Sequence, residues 1–290
     1  MLNRDYPSVE IAKGKAADTG VPSKASSLDE FSSRTLVIIP AHNEEECVAG
    51  VVQRLRERGF TRIRVVDNAS KDYTASRAAA AGAEVLAHPR AGYGLACWLG
   101  GREVPGDVEW LLYCNADASD DLDALERFAA LAPEHDLILG CRTRPEDRRT
   151  MTLPQRFGNW LAPFLIWLIW RHRFHDLGPQ RAIRHHAYCR INMQDRGFGW
   201  TVEMQVRAVE EGLRIAEIPV RSFPRPAGKS KISGNLRGTI RAGIIILRTI
   251  GFLAWKKVRR SLLGKLSQEA ASGKQRSKGN QTPSSSSFDL

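Results

Sequence analysis

The stretch Thr35-Leu36-Val37-Ile38-Ile39-Pro40-Ala41-His42-Asn43-Glu44-Glu45 joins a short β-branched apolar run directly to a polar, acidic turn. An apolar run without alternation suits a strand buried on both faces. Just downstream, Val48, Val51, Val52 and Leu55 recur at helical spacing, so a helix is expected over residues 44–58. The same unit then repeats. Strands are expected at residues 63–66, 84–87, 110–114 and 137–139, with helices at 74–81, 95–102 and 122–131. Strands alternating with helices imply an α/β fold whose mainly parallel central sheet carries helices on both faces. Ligands of such sheets sit beyond the carboxyl ends of the strands.

The residues just past each strand are therefore informative. Behind the first strand come Pro40, Ala41, His42, Asn43, Glu44 and Glu45; behind the second, Asp67, Asn68, Ala69, Ser70, Lys71 and Asp72. The third leads into Arg90-Ala91-Gly92-Tyr93-Gly94, and the fourth into Asn115-Ala116-Asp117-Ala118-Ser119-Asp120-Asp121. Acidic and amide side chains should thus converge on one rim. Asn115 and Asp117, one residue apart, can point the same way and hold a hard cation such as Mg2+ or Mn2+ that also binds a diphosphate. Alternatively, Asn115 starts a turn and Ser119 or Asp120 caps the next helix. Asp67 either meets a ribose or base, or forms an Asx-turn with Asn68 and Ser70. Gly92-Tyr93-Gly94 lacks the third glycine of a dinucleotide fingerprint, where Cys97 stands, and reads as a tight turn with Arg90 as a candidate phosphate partner.

In order, P-A-H-N-E-E, V-V-D-N-A-S-K-D, R-A-G-Y-G-L-A and N-A-D-A-S resemble the GT-A fold glycosyltransferases of family 2, in particular the dolichyl- and polyprenyl-phosphate sugar transferases. The likeness continues through Gly140-Cys141-Arg142, Asp176 to Ala182, Gly197 to Met204, and Glu217-Ile218-Pro219-Val220 with Arg225 and Gly228-Lys229-Ser230-Lys231. It spans about residues 34–235. The resemblance implies an inverting transfer from a nucleotide-diphosphate sugar, with Mg2+ or Mn2+, to a lipid phosphate or a sugar hydroxyl. It implies that Pro40, Ala41, Glu44 and Asp67 contact the nucleoside. Asn115 and Asp117 would bind metal and diphosphate, with Ser119 at a third position. Arg142 and Arg156 would hold the acceptor phosphate or donor diphosphate, Arg225, Lys229 and Lys231 would meet phosphates, and Asp176 or Glu203 would orient acceptor or sugar. A hydroxyl acceptor needs a base, for which Asp176 is the candidate; a lipid phosphate, already ionised, does not. Two positions depart from the family pattern: Asn115 stands for its first metal-motif Asp, predicting weaker metal affinity, and Asn68-Ala69 stands for Asp-Gly.

Charge placement adds a partner. The net charge is +11, yet residues 221–265 hold twelve Lys and Arg and no Asp or Glu, so removing those twelve leaves the rest of the chain at −1. Such a segment meets something anionic. Trp160-Leu161-Ala162-Pro163-Phe164-Leu165-Ile166-Trp167-Leu168-Ile169-Trp170 is apolar nearly all round and ends in Arg171, His172 and Arg173, which suits a lipid headgroup boundary or, alternatively, a buried core helix. Residues 236–266 are expected to form a basic amphipathic helix on an anionic membrane surface. Residues 1–33 and 267–290 are polar and expected to be a disordered leader and tail. Five widely spaced cysteines suggest reduced thiols, and with no apolar targeting segment apparent the expected place is the cytoplasmic face of the membrane. Neither of the histidine pairs, His172/His175 and His185/His186, has a third metal ligand at clear spacing. A sugar nucleotidyltransferase would carry a Gly-rich basic loop after the first strand, where P-A-H-N-E-E stands. A nucleic-acid-binding protein would spread its charge across a domain rather than at one apolar end, so no nucleic-acid partner is expected.

Overall fold

A computed structural model of the chain describes residues 24–143, 153–226, 243–260 and 262–263. It opens with α1 (Lys24–Ser33), then β1 (Thr35–Ala41), α2 (Val48–Arg56), β2 (Arg62–Asn68), α3 (Thr74–Ala80), β3 (Glu84–His88), α4 (Tyr93–Gly100) and β4 (Trp110–Tyr113). A 3-10 turn at Leu122–Ala124 leads into α5 (Leu125–Leu131), followed by β5 (Leu137–Cys141), α6 (Leu153–Trp170), β6 (Arg181–Arg184), α7 (His185–Ile191), α8 (Trp200–Glu210) and β7 (Ile215–Pro219). The seven strands form one sheet in the order β3-β2-β1-β4-β6-β5-β7. β1 is parallel to β2 and β4, β2 to β3, and β5 to β7. Only β6 runs antiparallel, against both β4 and β5. The expected α/β fold with a mainly parallel sheet is the observed one.

Side-chain alternation along β1 assigns the two layers. Val37 and Ile39 join Val48, Val51, Val52 and Leu55 of α2, Ala78 of α3 and Phe128 of α5 in one core. On the other face, α4 lies so close to β1 and β2 that a Cβ at Gly100 would collide with Ile38. The helix expected from residue 44 begins only at Val48. Asn43 takes a left-handed φ of 52°, and the main-chain N–H groups of Glu44 and Glu45 are donated to Thr74 and Asp72 rather than to a helical turn.

Three further features differ from expectation. The stretch expected to be a disordered leader ends in α1, whose Phe31 is 4 % exposed and lies 5.5 Å from the Trp110 ring; one buried aromatic supplies the apolar area that orders this turn of chain. The earlier leader and the tail lie outside the described residues. Strands β6 and β7 were not expected: Arg181-Ala182-Ile183-Arg184 is short and flanked by arginines, and β7 holds a buried Glu217. Helix α6, apolar through residues 160–170, is buried along one side only. Ala162, Ile166 and Trp170 are buried, whereas Trp160 (60 % exposed), Phe164, Trp167 and Leu168 face outward. Trp160 and Phe164 stack at 5.6 Å, and Arg171 lies 5.8 Å from the Trp167 ring.

The chain divides into two compact units, the first ending at Ile250 and the second beginning at Gly251. The second unit is helical through residue 260 and exposes Phe252, Trp255 and Val258. Lys256 and Arg259 sit over the Phe252 and Trp255 rings at 4.4 and 5.6 Å. Among the described residues, no helix is long and apolar enough to cross a membrane.

Candidate active site

The turns after β1 and β2 are sewn together. Asn43 N donates to Ser70 Oγ (2.9 Å), Lys71 N to Asn43 Oδ1 (2.7 Å) and Glu44 N to Thr74 Oγ1 (2.8 Å). Ala41 lies opposite Asp67 in the β1–β2 register, with Pro40 beside it opposite Val66. Asp67 Oδ1 accepts from Ser70 N at 3.1 Å, three residues on rather than the two of an Asx-turn, and so closes the turn behind β2. Ala69 at its centre holds φ 62°, a left-handed conformation that explains why a glycine suits the same place. Gly92 N donates to Asn68 Oδ1 (3.0 Å), which pulls the third strand-end turn in beside the other two. Gly94 N bonds Gly197 O at 3.1 Å, and a Cβ on Gly94 would collide with that oxygen. The glycine pair therefore serves a close crossing of two chain segments.

After β4 the chain folds back on itself. Asp117 Oδ1 accepts from both the main-chain N (3.0 Å) and hydroxyl (2.5 Å) of Ser119. Asp120 grips Asn115, accepting from its main-chain N at 2.6 Å and its amide at 3.2 Å. The helix-cap alternative for Ser119 and Asp120 is not what forms, since the first turn begins at Asp121 without a side-chain cap bond. Burial, together with the nearby charge of Asp117, pushes the Asp120 carboxyl up to about 7 against the contrary pull of the Asn115 N–H.

The segment after β7 completes the rim. Arg221 N donates to Asp121 Oδ2 (3.1 Å), Phe223 N to Ser119 O (3.0 Å), and Ser222 forms a β-bridge with Asp120. This lays the segment along residues 119–121 and brings Arg225 over the rim. Its guanidinium spans Asp117 Oδ2 at 2.6 Å and Glu44 Oε1 at 3.1 Å. Residues 181 apart in sequence thus meet in one ion-pair network. Asn115, Asp117 and Ser119 offer only hard oxygen donors with a single carboxylate, and no group of three or more His, Cys, Asp or Glu side chains able to hold a metal occurs among the described residues.

Beyond β5, Asp176 is 1 % exposed and takes a forked pair of bonds from Arg142, Nε to Oδ2 at 2.8 Å and Nη2 to Oδ1 at 3.0 Å. Arg142 N bonds it as well, at 2.9 Å. Burial pulls the Asp176 carboxyl upward, but the Arg142 charge and its hydrogen bonds outweigh this and hold it below the usual range. An acid so committed is a poor proton acceptor in this arrangement, where its contacts orient Arg142. Glu203 is likewise spent internally. It is 3 % exposed and accepts from Gln194 N, Asp195 N and Arg207 Nε, which shapes the loop that crosses Gly94. Arg156 lies on α6 with its side chain outside the described residues, as are Lys229 and Lys231.

Known proteins agree with this architecture. A family model described as glycosyl transferase family 2 matches residues 36–193. An uncharacterized glycosyltransferase of Mycobacterium tuberculosis is 38 % identical over 208 residues, covering 70 % of this chain and 92 % of that one. An undecaprenyl-phosphate mannosyltransferase of Micrococcus luteus is 28 % identical over 223 residues, 71 % of this chain and 90 % of its own. Among solved structures, glucosyl-3-phosphoglycerate synthase from Mycobacterium tuberculosis, in complex with Mn2+, UDP and glucosyl-3-phosphoglycerate, superposes with a TM-score of 0.58 at 18 % identity, over 81 % of this chain and 85 % of that one. That likeness is one of fold, the GT-A type. With the family model spanning more than half of it, this chain belongs to glycosyl transferase family 2 and is a glycosyltransferase.

Proposed function

We propose that the enzyme moves a sugar, with inversion, from a nucleotide-diphosphate donor to a polyprenyl phosphate at the cytoplasmic face of a membrane. The observation that carries the acceptor is a juxtaposition. Asn159 of α6 accepts from Leu177 N at 3.2 Å, beside the Asp176 that anchors Arg142, and the very next residue, Trp160, starts the exposed aromatic stripe. A phosphate-binding guanidinium and an apolar track are therefore neighbours. The commitment of Asp176 to Arg142 supports the same acceptor, because a phosphate is ionised near neutral pH and needs no carboxylate base. Undecaprenyl phosphate is the acceptor in the name of one relative. The exposed aromatic and basic residues of α6 and of the second unit suit the headgroup region of an anionic leaflet.

On the donor side, Pro40, Ala41, Glu44 and Asp67 line the strand ends where the nucleoside would lie. Asp117, with Asn115 and Ser119, would hold the cation. The oxygen-only set fits Mg2+ or Mn2+, which take one or two carboxylates and complete their shell with substrate phosphates and water. When bound, the cation neutralises charge on the diphosphate; a solved structure of the same fold holds Mn2+ with UDP. The residues then divide the work. Arg225 donates to the departing diphosphate, with Lys229 and Lys231 in support. Arg142 and Arg156 steer the acceptor oxygen to the face of the sugar opposite the leaving group. Fixed donors aimed at developing charge contribute roughly 3–4 kcal/mol each.

A mass-spectrometric screen tests this: UDP- and GDP-sugars with Mn2+, offered farnesyl phosphate, 3-phosphoglycerate or a free sugar as acceptor. Glycosylated farnesyl phosphate is the expected product. Transfer only to phosphoglycerate or to a sugar hydroxyl overturns the reading.

A further inference from the structure

His175 stands next to Asp176 and is built into the same surface. Its main-chain N donates to Glu217 Oε1 at 3.0 Å, and its Nδ1 lies 2.6 Å from Glu217 Oε2. Glu217 is 3 % exposed in the middle of β7, where Cys141 Sγ also reaches it at 3.0 Å. The imidazole itself is 31 % exposed. A buried carboxylate on Nδ1 fixes the ring orientation and leaves Nε2 on the outer side of the pair.

Asp176 does the same for Arg142. Its buried carboxylate takes Nε and Nη2 in a fork, leaving Nη1 outside it. Consecutive residues thus anchor two nitrogen-bearing groups, each backed by a buried acid. One acid comes from the turn after α6, the other from β7. The third residue of the run, Leu177, is tied to Asn159, immediately before the exposed stripe of α6. Two oriented donors at the head of an apolar track match a phosphate monoester with a hydrocarbon tail.

We propose that His175, oriented by Glu217, donates from Nε2 to the acceptor phosphate beside Arg142, while the prenyl chain follows Trp160, Phe164 and Trp167. With both ring nitrogens donating, the imidazole carries a charge that Glu217 balances. Glu217 acts as a positioning residue. The proposal rests on the reading of the acceptor as a polyprenyl phosphate.

The test compares farnesyl phosphate with farnesol, the same tail without the phosphate, binding to the full chain by tryptophan fluorescence. The wild type should bind the phosphate at least tenfold more tightly. His175→Gln should weaken farnesyl phosphate about tenfold, the scale of one charge-assisted hydrogen bond, and leave farnesol unchanged; His175→Arg should restore most of the loss. Diethylpyrocarbonate labelling of the wild type, mapped by mass spectrometry, gives a readout that needs no variant: farnesyl phosphate should protect His175 and farnesol should not. A wild type that treats the two ligands alike overturns both this proposal and the acceptor reading beneath it. Discrimination that survives His175→Gln, or His175 labelled equally with either ligand, overturns the role of His175 alone.

Discussion

Replacing Arg225 by methionine should separate cation binding from turnover. The guanidinium lies 2.6 Å from Asp117 and 3.1 Å from Glu44, so it closes the carboxylate that a divalent ion would need. Any cation entering without nucleotide must first displace it. Hydrogen bonds to charged groups are worth roughly 1.5–3 kcal/mol. The Arg225 side chain is 28 % exposed, which favours the lower end, and about 1.4 kcal/mol is tenfold in a dissociation constant. Without nucleotide, Arg225→Met should therefore bind Mn2+ about tenfold more tightly than the wild type, read from the paramagnetic resonance signal of free Mn2+. With UDP or GDP present the advantage should shrink or reverse, because the wild-type guanidinium is then engaged by the diphosphate. Turnover should fall by roughly a hundredfold, as for loss of one donor to a leaving group. Nucleotide-free Mn2+ affinity that is unchanged or weaker in the variant would refute the competition and leave the ion pair as a brace between β1 and the segment after β7.

Asp176→Asn removes the charge from a buried pair and should cost about 3 kcal/mol in urea unfolding at pH 7, the low end for such pairs because Arg142 is partly exposed. Since the folded-state carboxyl is held below its usual range, the contribution is present above about pH 4 and fades as pH falls further, so the two proteins should converge in acid; equal urea midpoints at pH 7 would rule the pair out. Asp120 behaves in the opposite sense. Its proton is held to about pH 7 in the fold and lost near 3.8 when unfolded, so metal-free stability should decline as pH rises between those values and then level. Asp120→Asn should abolish that decline, roughly 4 kcal/mol at most, in urea midpoints measured with EDTA across pH 4–8; parallel profiles would sink the assignment.

The half of the sheet from β1 to β4 was legible because each strand and the turn behind it are local in sequence. Pro40, Asp67, Asn115 and Asp117 fall at strand ends by counting alone. In the other half only β5, expected at residues 137–139, was legible. β6 and β7 are recognised by their neighbours rather than by their own pattern, since Arg181 and Glu217 are buried charges that composition alone would place outside. Motif spacing pointed to Asp176 and Glu203 but could not show what each would bind: Arg142, 34 residues upstream, takes the first, and main-chain amides take the second. The pairing of Arg225 with Glu44 and Asp117 depends on how the segment after β7 is laid across the rim, which no local pattern encodes. His175 had a faint signal, its place beside Asp176. Its partner Glu217 lies 42 residues on, in the E-x-P motif.

The amide at position 115 takes on a different meaning once Asp120 is located. A carboxylate at 115 would place a third acid against Asp117 and Asp120, with Asp120 only 3.2 Å from the side-chain terminus of residue 115. Like charges at that range cannot all ionise in a buried site. Asparagine instead donates to Asp120, and its oxygen is of the hard type that the proposed cation would take. The rim therefore keeps its acidic character through Asp120, five residues along the chain in the turn behind the strand end. Arg225 then balances the charge that remains, on Asp117 and Glu44, the charge that a cation would offset in the function proposed above.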